Sequence, residues 1–144
     1  MAGVSTYLIF NGNAEEAFTF YKTVFGTEFE GGIMRYGDAP PPGDHPLNDE
    51  EKQMIVNVAL PILGGHVLMA SDMLPSGEHH VTNGDNFQIT LLPDTRTEAD
   101  RLFAALSAGG TVSDPMQEAF WGDYYGGLTD KFGIQWNINT SSKV

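Results

Sequence analysis

Two segments of this chain repeat one pattern of apolar and polar positions. In IFNGNAEEAFTFYKTV, which begins at Ile9, the residues Ala17, Phe20, Tyr21 and Val24 recur at i, i+3, i+4 and i+7. In LLPDTRTEADRLFAAL, which begins at Leu91, Ala99, Leu102, Phe103 and Leu106 do the same, 82 positions later. That spacing predicts two one-sided helices, each laid on a sheet. An apolar strand end precedes each helix, and so does a capping box, Asn13 with Glu16 and Thr95 with Glu98. In such a box the cap side chain accepts from a free helix N–H and the glutamate reaches back. Gly26 and Gly109-Gly110 are the predicted helix stops. After each helix the period drops to two. The first half reads EFEGGIMRY, MIVNVALPI and HVLMASDM, with Gly64-Gly65 as a hairpin turn. The second reads TVSDPMQEAF, WGDYYGGLTD and GIQWNINT, with a turn at Lys131-Phe132-Gly133. Both halves are therefore predicted as β-α-β-β-β.

The predicted fold class is α+β: two tandem β-α-β-β-β modules, about 1–85 and 86–144, forming a curved mixed sheet around a cleft within one domain. One helix per four strands covers one sheet face and leaves the other open. Paired open faces would enclose a concave pocket of the kind that holds small molecules.

Composition narrows the partners. The net charge is −12, from 19 acids against 7 bases. A field of that sign repels phosphate, so neither nucleic acid nor an anionic membrane is an expected partner. The absence of cysteine removes disulfides, thiolate nucleophiles and Cys-type zinc sites, and fits a reducing, cytoplasmic location. MAGVSTYLIFNGNAEE has no basic n-region and reads as no signal peptide, and no segment is long and apolar enough to span a bilayer. There is no G-x-S-x-G elbow, HExxH or P-loop, so serine catalysis, zinc proteolysis and nucleotide hydrolysis have no support.

The stretches YLIFNGNAEEAFTFYKTVFG, SDMLPSG and EAFWGDYYGGLTDKFGIQWNIN resemble the vicinal oxygen chelate superfamily of glyoxalases, extradiol dioxygenases and antibiotic-resistance proteins. More narrowly they are similar to its PhnB-like branch, the 37–53 loop being the least matched part. Members of that branch are often labelled 3-demethylubiquinone 3-methyltransferase. This chain shows no Gly-rich strand-turn-helix of the kind nucleotide-like cofactors use. The resemblance implies four inward metal-ligand positions in the metalloenzymes, usually His or Glu, on the first and last strands of each half. It places Thr6, Gln88, Met69 and Asn137 there. A hydroxyl, a thioether and two amides are weak donors for a divalent ion. No cofactor is therefore expected, with a divalent metal as the alternative. The resemblance also implies a homodimer.

Alternation then sorts the faces. With Asn137 inward, Gln135 and Asn139 follow, while Ile134, Trp136 and Ile138 pack under the helices. With Gln88 inward, Thr90 follows, and Phe87, Ile89 and Leu91 are core. Thr6, Leu8 and Phe10 are expected inward on the first strand, and Val67, Met69 and Ser71 on the fourth. Phe120, Trp121, Tyr124 and Tyr125 are expected at the cleft rim. The candidate ligand-binding set is Thr6, Met69, Gln88, Thr90, Trp121, Tyr125, Gln135 and Asn137. Glu118 and Asp123 are the weak catalytic candidates, since a carboxylate buried beside aromatics has a raised pKa and can serve as general acid or base. His79 and His80 read as a solvated loop pair beside Glu78, His66 as a turn flank, and His45 as part of the acidic, Pro-rich 37–53 excursion. Three readings stay open. The first is a metal-independent small-molecule binder. The second is a metal-dependent or acid–base lyase, isomerase or dioxygenase. The third is a structural partner protein using the 37–53 loop.

Overall fold

The computed structural model describes residues 2–38, 46–77 and 79–144. The chain divides into two compact units between Thr82 and Asn83. In the first, β1 (Thr6–Phe10), α1 (Ala14–Phe25), β2 (Met34–Arg35), α2 (Asp49–Gln53), β3 (Ile55–Pro61) and β4 (Val67–Asp72) build a sheet ordered β1-β4-β3-β2. In the second, β5 (Ile89–Leu91), α3 (Arg96–Ser107), β6 (Thr111–Glu118), β7 (Tyr124–Thr129) and β8 (Gln135–Thr140) build a sheet ordered β5-β8-β7-β6. In both, the first strand lies parallel to the last and the remaining pairs are antiparallel. The α+β class and the two tandem β-α-β-β-β modules are thus as the periodicity predicts. The strand read from EFEGGIMRY shrinks to two residues, and the 37–53 segment carries the short helix α2, which the periodicity did not show. His45 lies outside the described residues, as does Glu78.

Each long helix packs one face of its sheet. α1 buries Ala14, Ala17, Phe18, Tyr21 and Val24 against β3 and β4. α3 buries Ala99, Leu102 and Leu106 against its sheet, where Leu128, Trp136 and Ile138 are also buried. Gly26 ends α1 in the left-handed region, φ 65°, with its N–H on the Lys22 carbonyl. Among the described residues, no helix is long and apolar enough to cross a membrane.

The helix caps differ from the expected boxes. Thr95 Oγ1 does accept from Glu98 N, at 3.1 Å, but the Glu98 carboxylate turns to Arg101 instead of reaching back. Asn13 makes no side-chain cap. Asp72, at the end of β4 and only 2 % exposed, does that work from across the sheet: Oδ1 accepts from Gly12 N and Ala14 N, and Oδ2 from Ile55 N. A carboxylate in place of an amide carries charge to the positive end of the helix. The complete capping box belongs to α2, where Asn48 and Glu51 exchange bonds and Ser76 Oγ adds a third at 2.6 Å to Glu51. In the second unit, buried Asp130 closes the β7–β8 turn by accepting from Phe132 N, Ile134 N and Trp136 Nε1.

Register corrects the first strand. Tyr7 pairs with Met69, and Thr6 pairs with Leu68. Paired residues share a face, so Tyr7 lies on the open face with Met69. Thr6, Leu8 and Phe10 turn toward the helix side, where Leu8 and Phe10 are buried. The physical reason is a one-residue slip. Equivalent pairs set Tyr7 against Thr90, 83 positions apart, while the helices repeat at 82. A shift of one residue moves every side chain to the other face. Phe87, expected in the core, is 64 % exposed because regular pairing begins only at Ile89.

Candidate functional site

The open face of the second sheet is built on β8. Its sequence QWNINT alternates amides with buried residues, so Trp136, Ile138 and Thr140 lie inward while Gln135, Asn137 and Asn139 stand on the open side. Every one of these amides is held. Gln135 Nε2 donates to the Gly84 carbonyl at 2.7 Å, Asn137 Nδ2 to Gln88 Oε1 at 2.5 Å, and Asn139 Nδ2 to Asp123 Oδ2 at 2.9 Å. Thr90 pairs with Asn137 and is exposed beside it. Gln88, Thr90, Gln135 and Asn137 are thus brought together on one face, as alternation predicts.

The strand on the other side of β8 supplies aromatics. Tyr125 pairs with Asn139 and Gly127 with Asn137. The turn between β6 and β7 is closed by Ala119 N donating to the Asp123 carbonyl and Gly122 N to the Ala119 carbonyl, with Gly122 at φ 97°. It carries Trp121 edge-on to Tyr125 at a centroid distance of 5.5 Å, and Trp121 stays 50 % exposed. Phe120 packs edge-on to Trp121 and is 99 % exposed. Tyr124 departs from the expected rim. It lies on the helix side, under the Arg96 guanidinium at 4.7 Å, with its hydroxyl donating to Asp100. The latter bond, together with burial, pushes its pKa up.

The two carboxylate candidates separate. Glu118 pairs with Tyr124 in register and forms an ion pair with Arg96 at 2.7 Å, its side chain 61 % exposed. The Arg96 hydrogen bond, with the charges of Arg96 and Lys143, holds its carboxyl below the usual range. That is the opposite of the raised pKa a buried general acid needs, because a cation and solvent replace the expected apolar burial. Asp123 stays with the site. Its carboxylate and Asn139 line a cavity of about 490 Å³ at the end of the sheet, with Leu92, Asp94 and Ser141.

The first sheet's open face is more apolar. Tyr7, Ile9 and Met34 are exposed there and Met69 is half-buried. Buried Asn57 Oδ1 has no hydrogen-bond partner among the described residues. Thr6 leaves this face, and its hydroxyl sits 2.9 Å from His66 Nε2. His79 and His80 border a second cavity of about 290 Å³ with Asn11 and Met73.

The four positions where the resemblance places metal ligands do not fit a divalent ion. Asn137 and Gln88 are neutral amides bonded to each other, Met69 offers a thioether, and Thr6 faces away. Among the described residues, no group of three His, Cys, Asp or Glu is placed to hold a metal. Sequence reasoning missed Tyr7 through the register slip. It did not sort the β6 residues by face, because bulges at Val112–Asp114 and Asp114–Gln117 break the alternation there.

Residues 2–139 match the model of a protein family described as 3-demethylubiquinone-9 3-methyltransferase. The chain is 31 % identical to protein YjdN of Escherichia coli over 142 residues, covering 94 % of this chain and 93 % of that protein. The crystal structure of protein PA1353 from Pseudomonas aeruginosa is 36 % identical with a TM-score of 0.82, covering 97 % of this chain and 98 % of the other. The PhnB protein of Bacillus cereus is 26 % identical with a TM-score of 0.73, covering 96 % and 99 %. Solved glyoxalase, bleomycin resistance and dioxygenase family proteins from Frankia and Burkholderia share the fold alone, with TM-scores of 0.64 and 0.62.

Proposed function

Because this chain belongs to the family described as 3-demethylubiquinone-9 3-methyltransferase, the PhnB-like branch of the vicinal oxygen chelate superfamily, we propose that it binds a small organic molecule on the open face of its second sheet, without a metal at the superfamily's ligand positions. The observation carrying this reading is the Asn137–Gln88 amide pair. It occupies two of those positions with neutral hydrogen-bonding groups, and on the strand beside β8 Tyr125 packs against a half-exposed tryptophan. Aromatic contact supplies apolar area, and fixed amides supply orientation. The reading includes a homodimer, and a cytoplasmic location that the lack of cysteine favours.

Two measurements test it. Elemental analysis of protein purified without chelators should find no stoichiometric Mn, Fe, Ni or Zn. A bound metal that is lost on changing Gln88 or Asn137 would overturn the metal-free part. A ligand library screened by thermal shift should give hits that disappear in Trp121→Ala. Hits unchanged in that variant would place the site elsewhere.

A further inference from the structure

The C-terminal ends of β1 and β4 carry a group of donors that the second-sheet site does not use. The two strands run parallel with Phe10 opposite Asp72, so Asn11 and Met73 leave the sheet side by side. Met73 N donates to the Phe10 carbonyl at 2.7 Å, which fixes that exit. The chain then turns through Leu74-Pro75-Ser76-Gly77, where Gly77 N donates to the Leu74 carbonyl at 3.0 Å. Ser76 Oγ pins the turn by donating to buried Glu51 at 2.6 Å. The chain after the turn brings His79 and His80 to the cavity of about 290 Å³ that Asn11, Met73, Leu74 and Pro75 also line. In a strand, neighbouring residues face opposite ways. Neither histidine is in a strand, and both border the one cavity. Among the described residues, neither imidazole nor the Met73 sulfur is taken up by a hydrogen bond or ion pair, whereas the His66 ring lies 2.9 Å from the Thr6 hydroxyl.

We propose that this cavity binds copper(I), with the imidazoles of His79 and His80 and the thioether of Met73 as its ligands. The donor set selects the ion. A thioether is a soft donor and suits Cu(I), whereas Mg²⁺, Ca²⁺ and Mn²⁺ call for oxygen donors. Among the described residues, no carboxylate lines the cavity. Zn²⁺ takes imidazole readily, but its other protein ligands are thiolate and carboxylate rather than thioether. Charge argues the same way. Leu74 and Pro75 make the wall partly apolar, and the cost of taking an ion out of water rises with the square of its charge, so a monovalent ion loses less there. Three neutral ligands leave the ion its single positive charge, which the −12 net charge of the chain favours. All six lining residues belong to the first unit, so this site stands or falls separately from the amide face of the second sheet. It also shares no residue with the four positions at which the superfamily holds its metal.

The test uses the full, untagged chain with Cu(I) supplied under ascorbate without oxygen, in competition with bicinchoninate. One equivalent should bind per chain. In ¹H–¹³C spectra that equivalent should move the Met73 ε-methyl signal and the ring signals of His79 and His80, and leave His66 in place. Met73→Leu, His79→Gln and His80→Gln should each weaken binding by about tenfold or more, since even groups behind a metal ligand are worth about 10–100-fold. Met34→Leu, at an exposed methionine elsewhere in the unit, should leave the affinity unchanged. The Met73→Leu change keeps side-chain volume, and both histidines are exposed, so the fold should survive all three. Zn²⁺ should bind more weakly than Cu(I) and should not respond to Met73→Leu. Absence of stoichiometric Cu(I), an affinity that Met73→Leu leaves intact, or Zn²⁺ held as tightly as Cu(I) would overturn the proposal.

Discussion

Single side chains in this protein do work that a contact pattern would assign to whole elements. Asp130 is 3 % exposed and gathers two backbone N–H groups and the Trp136 indole N–H. A buried carboxylate so placed fixes the turn and the largest core side chain together. Asp130→Ala would strand these donors away from water. Buried donors that lose their acceptor cost about 1–3 kcal/mol each, so the variant should lose roughly 3 kcal/mol or more in urea unfolding. A loss below about 1 kcal/mol would show that the turn holds without the carboxylate. Trp121 is the contrasting residue. It is half exposed and packs on Tyr125, so its removal should touch binding far more than stability. The sequence marked Trp121 through its place in an aromatic run, and Asp130 only by its position beside the predicted turn at Lys131-Phe132-Gly133. It could not rank them, because rank depends on burial.

At the level of elements, the start of α1 separates a local signal from its tertiary replacement. Asn13 and Glu16 spell a capping box, but the orphan N–H of Ala14 is taken by Asp72, which is 58 residues away. Asn13→Ala is therefore expected to change stability by less than about 0.5 kcal/mol, as for a surface position without a special role. Asp72→Ala removes an acceptor shared by Gly12, Ala14 and Ile55, and should cost several times more, about 2–4 kcal/mol. Comparing denaturation midpoints of the two variants checks this, and a larger loss for Asn13→Ala would reverse the assignment. The site follows the same logic. Alternation along QWNINT was enough to put Gln135, Asn137 and Asn139 on one face. It failed on the first strand because the repeat offset read from the helices is one short for the strands, so Tyr7 takes the place expected for Thr6.

For the whole molecule, the acids set the pH response. Glu15 is held low by its hydrogen bond to Arg35, Glu98 by Arg101, Glu118 by Arg96, and Glu51 by the Ser76 hydroxyl and the Asn48 backbone. A carboxyl with a lowered folded pKa stabilises the fold above its unfolded value, near 4.3, and loses that contribution as pH falls through the folded value. Relief of the −12 net charge works the other way on mild acidification. Stability is thus expected to change little from pH 7 to about 5 and to drop steeply below about 4. Glu51→Gln should make that acid limb shallower in a pH series of urea midpoints. An unchanged limb would remove Glu51 from the account.

The sequence alone determined the class, the two modules, the helix faces and the polar face of the last strand. Those features follow from periodicity, which is local and set by hydrophobic burial. Tertiary structure decided register, caps and pairing: that Tyr7 rather than Thr6 joins Met69, that Asp72 caps α1, that Glu118 goes to Arg96, and that Asn137 binds Gln88. These depend on which strands meet and where a bulge or a one-residue slip falls. No single segment carries that information.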